Sequence, residues 1–135
     1  EVDRLMAVTG AAVGLLYDCG HCVFSGGDPV ALLQRHVKRV VHVHCKDARK
    51  DRLDKARATD ESFMQAVLDG VFTVPGAGFI DFPKLLAILH DAGYAGWLVC
   101  EAEQDPAKAH PLTYARLGFS NLVRMALQAG FTVAP

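Results

Sequence analysis

A chain of 135 residues, 51% apolar and 21% charged, has enough material for one packed domain and too little for two. That apolar share excludes a disordered tail. Lys and Arg total 14 against 15 for Asp and Glu, a net charge of −1, so no basic excess points to nucleic acid or an anionic membrane as partner. No apolar run approaches the ~18 residues of a membrane span, and Glu1-Val2-Asp3-Arg4 lacks the apolar core of an export signal. The expectation is a cytoplasmic protein with neither membrane nor nucleic acid as partner. The first residue is Glu rather than Met, which leads us to expect a piece of something longer.

Taken in chain order, Glu1 to Val8 predicts a helix, and Val13-Gly14-Leu15-Leu16-Tyr17-Asp18 the first strand. The next helix is expected to open at Asp28, a capping residue, with Pro29 in the first turn and an apolar stripe of Val30, Leu33 and Val37. Arg39-Val40-Val41-His42-Val43-His44 predicts a second strand, and Trp97-Leu98-Val99-Cys100-Glu101 a third. Continuous apolar runs of this length suit parallel strands buried on both faces. Phe82, Leu85, Leu86 and Leu89 form a helix opened by Asp81 and closed by Gly93. A last helix runs through Leu112, Ala115, Phe119, Leu122, Val123 and Ala126, and stops at Gly130.

This alternation predicts a parallel α/β fold. A complete (β/α)8 barrel takes roughly 250 residues, about 31 per unit. Asp18 to His44 is 26 positions, one unit; His44 to Glu101 is 57, one unit plus an insertion. The fold class is therefore a partial (β/α)8 barrel, residues 1–135 forming one part of it with about three parallel strands. The surplus lies between Asp47 and Phe79. Its first half, Lys46 to Arg57, is densely charged, and Asp60 to Gly70 reads as a short helix with Phe63, Val67 and Leu68 facing inward. Val74 to Gly78 is a turn-rich loop. In a barrel such an insertion lies on the face that carries active sites.

Cys19-Gly20-His21-Cys22 is a literal C-x-x-C, which raises a thiol-redox or zinc reading. Redox use needs a helix N-terminus to activate the first thiol, and the next helix is expected only at Asp28, so Cys19, Cys22, Cys45 and Cys100 are expected to be plain reduced thiols. Asp18, His44 and Glu101 each end a strand at its carboxyl end, and parallel strands bring such ends to one edge, about 4.8 Å apart between neighbours. A lone carboxylate there is most often a cap or an ion-pair partner. Three chemistry-bearing ends in register instead suggest a divalent site of mixed oxygen and nitrogen ligands, suited to Mn²⁺, Co²⁺, Zn²⁺ or Mg²⁺. His42 lies one layer deeper on the same face, His36 and His90 fall on helix surfaces, and His21 stands where it could meet a substrate.

Asp18-Cys19-Gly20-His21, His42-Val43-His44-Cys45-Lys46-Asp47 and Gly76-x-Gly78-x-Ile80-Asp81 together resemble the xylose-isomerase-like barrel superfamily. Within it, Val71-Phe72-Thr73-Val74-Pro75-Gly76, Glu101-Ala102-Glu103-Gln104-Asp105-Pro106 and His110-Pro111-Leu112-Thr113-Tyr114-Ala115-Arg116-Leu117-Gly118 are similar to the inosose dehydratases of inositol catabolism. The resemblance covers roughly Val2 to Leu127 and only the C-terminal half of that barrel. It implies metal ligation by Asp18, His44 and Glu101, with Mn²⁺ or Co²⁺ ahead of Zn²⁺ or Mg²⁺. It places His21 and Arg49 against a small polyol or ketose substrate, with Lys46 and Glu103 nearby. The implied reaction is dehydration of 2-keto-myo-inositol, with His21 as general acid and Glu101, or a carboxylate of the absent half, as base. Alternatives are a sugar isomerase or epimerase, a non-catalytic fragment that needs a partner chain or self-associates, and a thiol-redox module. No G-x-G-x-x-G follows a strand, which disfavours NAD chemistry.

Overall fold

The computed structural model describes residues 1–133. Helix α1 (Val2–Val8) leads to strand β1 (Leu15–Asp18), followed without a loop by α2 (Cys19–Phe24) and then α3 (Pro29–His36). A single 3-10 turn delivers the chain to β2 (Val40–Cys45). An excursion of β3 (Asp47–Ala48), α4 (Lys50–Ala58), α5 (Phe63–Leu68) and β4 (Phe72–Thr73) precedes α6 (Phe82–Asp91), β5 (Leu98–Cys100) and α7 (Pro111–Gln128). Strands β1, β2 and β5 form a parallel sheet in that order, while β3 and β4 pair antiparallel. The alternating α/β order and the three expected strands are present.

The caps explain where helices start. Asp28 Oδ1 accepts the Ala31 amide at 3.1 Å and Asp81 Oδ1 the Lys84 amide at 3.1 Å, each followed by Pro at the first turn. Tyr17, Val43 and Cys45 project to the helix side and pack with Leu33, Phe82, Leu85, Leu86, Leu89, Leu122 and Met125 in one core. Each such side chain, fully buried, contributes about 1.5–3 kcal/mol. The Tyr17 hydroxyl donates to the Pro29 carbonyl at 2.9 Å, so its polar end is satisfied inside that core. The Arg39 guanidinium donates to the carbonyls of Gly10 (2.9 Å), Val13 (2.6 Å) and Met6 (3.3 Å), tying the turn after α1 to the start of β2.

Three expectations need correction, and helix α4 is an element the sequence reading did not include. Helix α2 opens at Cys19, nine residues before the start expected at Asp28, because Asp18 Oδ1 caps it through the His21 amide at 2.8 Å. The charged stretch after Lys46 is helical, with only Leu53 and Ala56 buried. In α5, Ala66 and Val67 face inward, whereas Phe63 and Leu68 stay 40% and 41% exposed. His36 is not a free surface residue, since its Nε2 bonds Asp3 on α1. Strands that read as buried on both faces in a closed barrel lack that cover on one face here: Leu16, on the Asp18 side of β1, is 48% exposed, and Trp97, which leads into β5, is 76% exposed. Among the described residues no helix is long and apolar enough to cross a membrane.

Candidate metal centre

Register assembles the site. Asp18 lies opposite His44 across β1 and β2, and His44 opposite Val99 across β2 and β5. Glu101 is one residue past β5, and its amide donates to the Cys45 carbonyl at 3.3 Å, carrying the ladder one step further. One ligand-type atom from each of Asp18, His44 and Glu101 lies within 4.8 Å of the others. His44 Nδ1 stands 2.9 Å from Glu101 Oε2 and 3.6 Å from Asp18 Oδ2. The three strand ends therefore meet at one point, as expected from their spacing.

Asp18 divides its carboxylate between two tasks. Oδ1 caps α2, while Oδ2 is buried and accepts no hydrogen bond. Glu101 Oε2 is in the same condition. Buried carboxylate oxygens without a directed donor are rare, because an unpaired buried acceptor costs about 1–3 kcal/mol or more. Two of them facing an imidazole nitrogen fit a hard or borderline divalent cation with oxygen and nitrogen ligands. Nearby cations sit at ion-pair distance: Lys46 Nζ is 3.0 Å from Glu101 Oε2 and 3.4 Å from Asp18 Oδ2. Burial would raise the Glu101 carboxyl, but Lys46, His44 and His21 outweigh it and hold Glu101 below the usual carboxylate range. Burial would likewise depress the Lys46 ammonium, and Glu101, Asp18 and Glu103 more than reverse that, keeping it above the ordinary lysine value.

Beside the cluster, Lys46 Nζ lies 2.7 Å from His21 Nε2 and donates to Glu103 Oε2 at 3.0 Å. His21 also packs against Phe72 and Phe63, with ring centroids 5.4 and 5.8 Å away. His21, Lys46 and Glu103 thus join the triad in one continuous group, with the His42 ring 5.4 Å behind that of His44. Arg49 does not share in it. Its guanidinium donates to the carbonyls of Gly70 (2.7 Å) and Phe72 (2.8 Å) and to Thr73 Oγ1 (3.0 Å), so its contacts hold the excursion together. It borders a separate cavity of about 190 Å³ with Arg52, Lys108 and Tyr114.

Helix α2 does begin at Cys19, contrary to the expectation used against a redox role. Even so, burial pushes the Cys19 thiol up to about 12, and its Sγ donates to the Lys46 carbonyl at 3.2 Å. A thiol held neutral is a poor nucleophile. All four cysteines are free.

Sequence reasoning missed Asp47. Fully buried, it accepts amides from Ala48 (2.8 Å) and Ile80 (3.0 Å) at Oδ1 and from Gly76 (3.0 Å) and Gly78 (2.9 Å) at Oδ2. Burial raises its carboxyl above the usual range, and the four amides offset this only in part. A Cβ at Gly78 would collide with this carboxylate and the Ala48 carbonyl, which is why the loop carries glycine there. The Gly76-x-Gly78 run was the available signal.

A family model described as Xylose isomerase-like TIM barrel matches residues 2–122. The chain belongs to that family. This xylose isomerase-like chain is 66% identical over 134 residues to the rhizopine catabolism protein MocC of Rhizobium meliloti, covering 99% of the chain and 41% of the relative. It is 54% identical over 116 residues to the inosose dehydratase of Halalkalibacterium halodurans, covering 85% and 38%. A xylose isomerase domain protein from Planctomyces limnophilus superposes at a TM-score of 0.64 with 18% identity, over 95% of this chain and 41% of that one, a likeness of fold. The chain spans about two fifths of the length of the curated relatives it matches.

Proposed function

We propose that the protein carrying this xylose isomerase-like chain catalyses metal-assisted dehydration of 2-keto-myo-inositol to a diketone in inositol catabolism. The observation that carries the proposal is the convergence of two buried carboxylate oxygens without directed hydrogen bonds, on Asp18 and Glu101, with the His44 imidazole. Asp18, His44 and Glu101 would hold the cation, with Mn²⁺ or Co²⁺ as the first choices for this donor set. A bound divalent ion supplies Lewis-acid polarisation of a ketone or hydroxyl oxygen. The printed name of the relative at 54% identity, an inosose dehydratase, supports the reaction class.

Elimination of water needs one group to take the proton beside the ketone and another to protonate the departing hydroxyl. Glu101 is assigned the first task. His21 is assigned the second, because it is partly exposed and its ring is fixed between Phe72, Phe63 and Lys46. Glu103, 39% exposed, is assigned to substrate hydroxyls, and the buried Lys46 behind it holds the Glu103 carboxylate and the His21 ring in place. Arg49 acts on substrate only indirectly in this reading, by holding Gly70, Phe72 and Thr73 in place.

The test is turnover of 2-keto-myo-inositol by the protein at its natural length, with Mn²⁺ or Co²⁺ added and the product analysed by mass and NMR. A diketone lighter by one water is expected, and His44→Ala should abolish metal-dependent turnover. Product of unchanged mass would turn the assignment to an isomerase or epimerase, and full activity in His44→Ala would remove His44 from the site. A second arm offers a rhizopine, the compound class in the name of the relative at 66% identity.

A further inference from the structure

Lys46 is an unusual neighbour for a cation site. Its side chain is completely buried, although lysine is rarely so unless paired. Its stem is confined on one side by Gly20, where a Cβ would approach Lys46 Cγ to 2.6 Å, and its ammonium stands 5.1 Å over the Phe72 ring. The charge is thus directed into the cluster by packing. There it meets four partners: His21 Nε2 at 2.7 Å, Glu103 Oε2 at 3.0 Å, Glu101 Oε2 at 3.0 Å and Asp18 Oδ2 at 3.4 Å. An ammonium has three N–H donors and cannot serve all four. His21 and Glu103 take two of the three as directed hydrogen bonds. The third N–H, with Glu101 Oε2 at 3.0 Å and Asp18 Oδ2 at 3.4 Å, is directed at neither, so both ligand oxygens feel the ammonium chiefly as a charge.

A unit charge about 3 Å from two carboxylate oxygens opposes any second cation that uses the same oxygens. We propose that Lys46 sets the affinity of the cluster for a divalent cation by competing for Asp18 Oδ2 and Glu101 Oε2, and that Glu103 limits this competition by drawing the ammonium towards itself. The inference rests on the metal reading above and assigns Lys46 and Glu103 a role that needs no substrate. Three carboxylates against one ammonium leave room for two more positive charges, so Lys46 moderates binding without preventing it.

The experiment is calorimetric titration of Mn²⁺ alone, at one fixed pH and without substrate, into the protein at its natural length. Lys46→Met is expected to bind manganese roughly 10- to 100-fold more tightly, the scale on which groups around a metal site tune it. Glu103→Gln is expected to weaken binding, and to lose most of that effect when combined with Lys46→Met. Unchanged or weaker binding by Lys46→Met, or an undiminished Glu103→Gln effect in the double variant, overturns the proposal. Should Lys46→Met fail to fold by circular dichroism, Glu103→Asp decides. It keeps the charge but shortens the reach to Lys46, so weaker binding supports the competition and unchanged binding refutes it. No manganese binding by the unmodified protein would instead bring down the metal reading itself.

Discussion

Both oxygens of Asp47 are committed to main-chain amides, and the four donors belong to one turn and the residue beside it. Asp47→Ala removes the acceptor of all four N–H groups, of which those of Ala48 and Ile80 are buried away from water, so a loss of about 3 kcal/mol is expected. Asp47→Asn retains one acceptor oxygen and removes a charge that burial disfavours, so its loss should be smaller. Urea unfolding of the three proteins checks both the size and the order. Asp47 and Asp18 show what single residues disclose before a structure is known. Asp18, His44 and Glu101 were legible because each interrupts an apolar run at its end, where a parallel sheet gathers such residues. The four amides held by Asp47 include three that lie 29 to 33 positions further on, and the Gly76-x-Gly78 run marks a tight turn there without naming its partner.

Among the elements, helices with a capping Asp, a first-turn Pro and an apolar stripe were readable, as in α3 and α6. Helix α4 was not, because a helix that buries only Leu53 and Ala56 leaves no periodic stripe among its charges. Helix α2 was hidden by its brevity and its glycine, and the two-residue strands β3 and β4 are too short to alternate. Helix α1 is anchored by a pair of contacts that sequence could not locate: Asp3 Oδ1 accepts from Arg35 Nε at 3.1 Å and pairs with His36 Nε2. The bond to His36, helped by Arg35, holds the Asp3 carboxyl below the ordinary aspartate value. A carboxyl depressed in the folded state contributes stability above its unfolded pKa of about 3.9, and loses it as pH falls through the lower folded value. Acidification below about pH 4 should therefore loosen α1 first, seen as early loss of hydrogen-exchange protection at Leu5, and Asp3→Asn should reproduce that loosening at neutral pH.

For the whole molecule, the three-stranded sheet has β1 and β5 at its edges, without further partners among the described residues. The side of the sheet that carries Asp18 and His44 leaves Leu16 half exposed, and Trp97 is more exposed still. Exposing ~400 Å² of apolar surface forgoes about 10 kcal/mol at ~25 cal/mol per Å², comparable to the ~5–15 kcal/mol that holds a typical domain together. Open edges also recruit strands from other chains. Residues 1–135 expressed alone are accordingly expected to self-associate and to lack dehydratase activity, with helix content retained through local caps. Light scattering and thermal melting test this, and a monodisperse monomer with a sharp transition would show the expectation to be wrong.

The excursion between β2 and α6 has a bearing on how such a molecule can change over generations. It leaves the sheet at Asp47 and comes back to the same place 33 positions later, where Ile80 bonds Asp47 and Phe79 bonds Ala48. A second tie, Arg49 to Val71, closes the neck one step further out. Between those clasps the turn of residues 59–62 joins two helices whose inner faces, Leu53 and Ala56 of α4 and Ala66 and Val67 of α5, belong to the common core. Doubling the length of such a loop costs only about 0.6 kcal/mol in closure entropy, and its ends give the sheet no information about what lies between them. A longer or shorter turn at residues 59–62 is therefore compatible with an unchanged register of Asp18, His44 and Glu101. The clasp thus separates the outer turn, where length can vary, from the strand register that gathers the three ligand-type side chains.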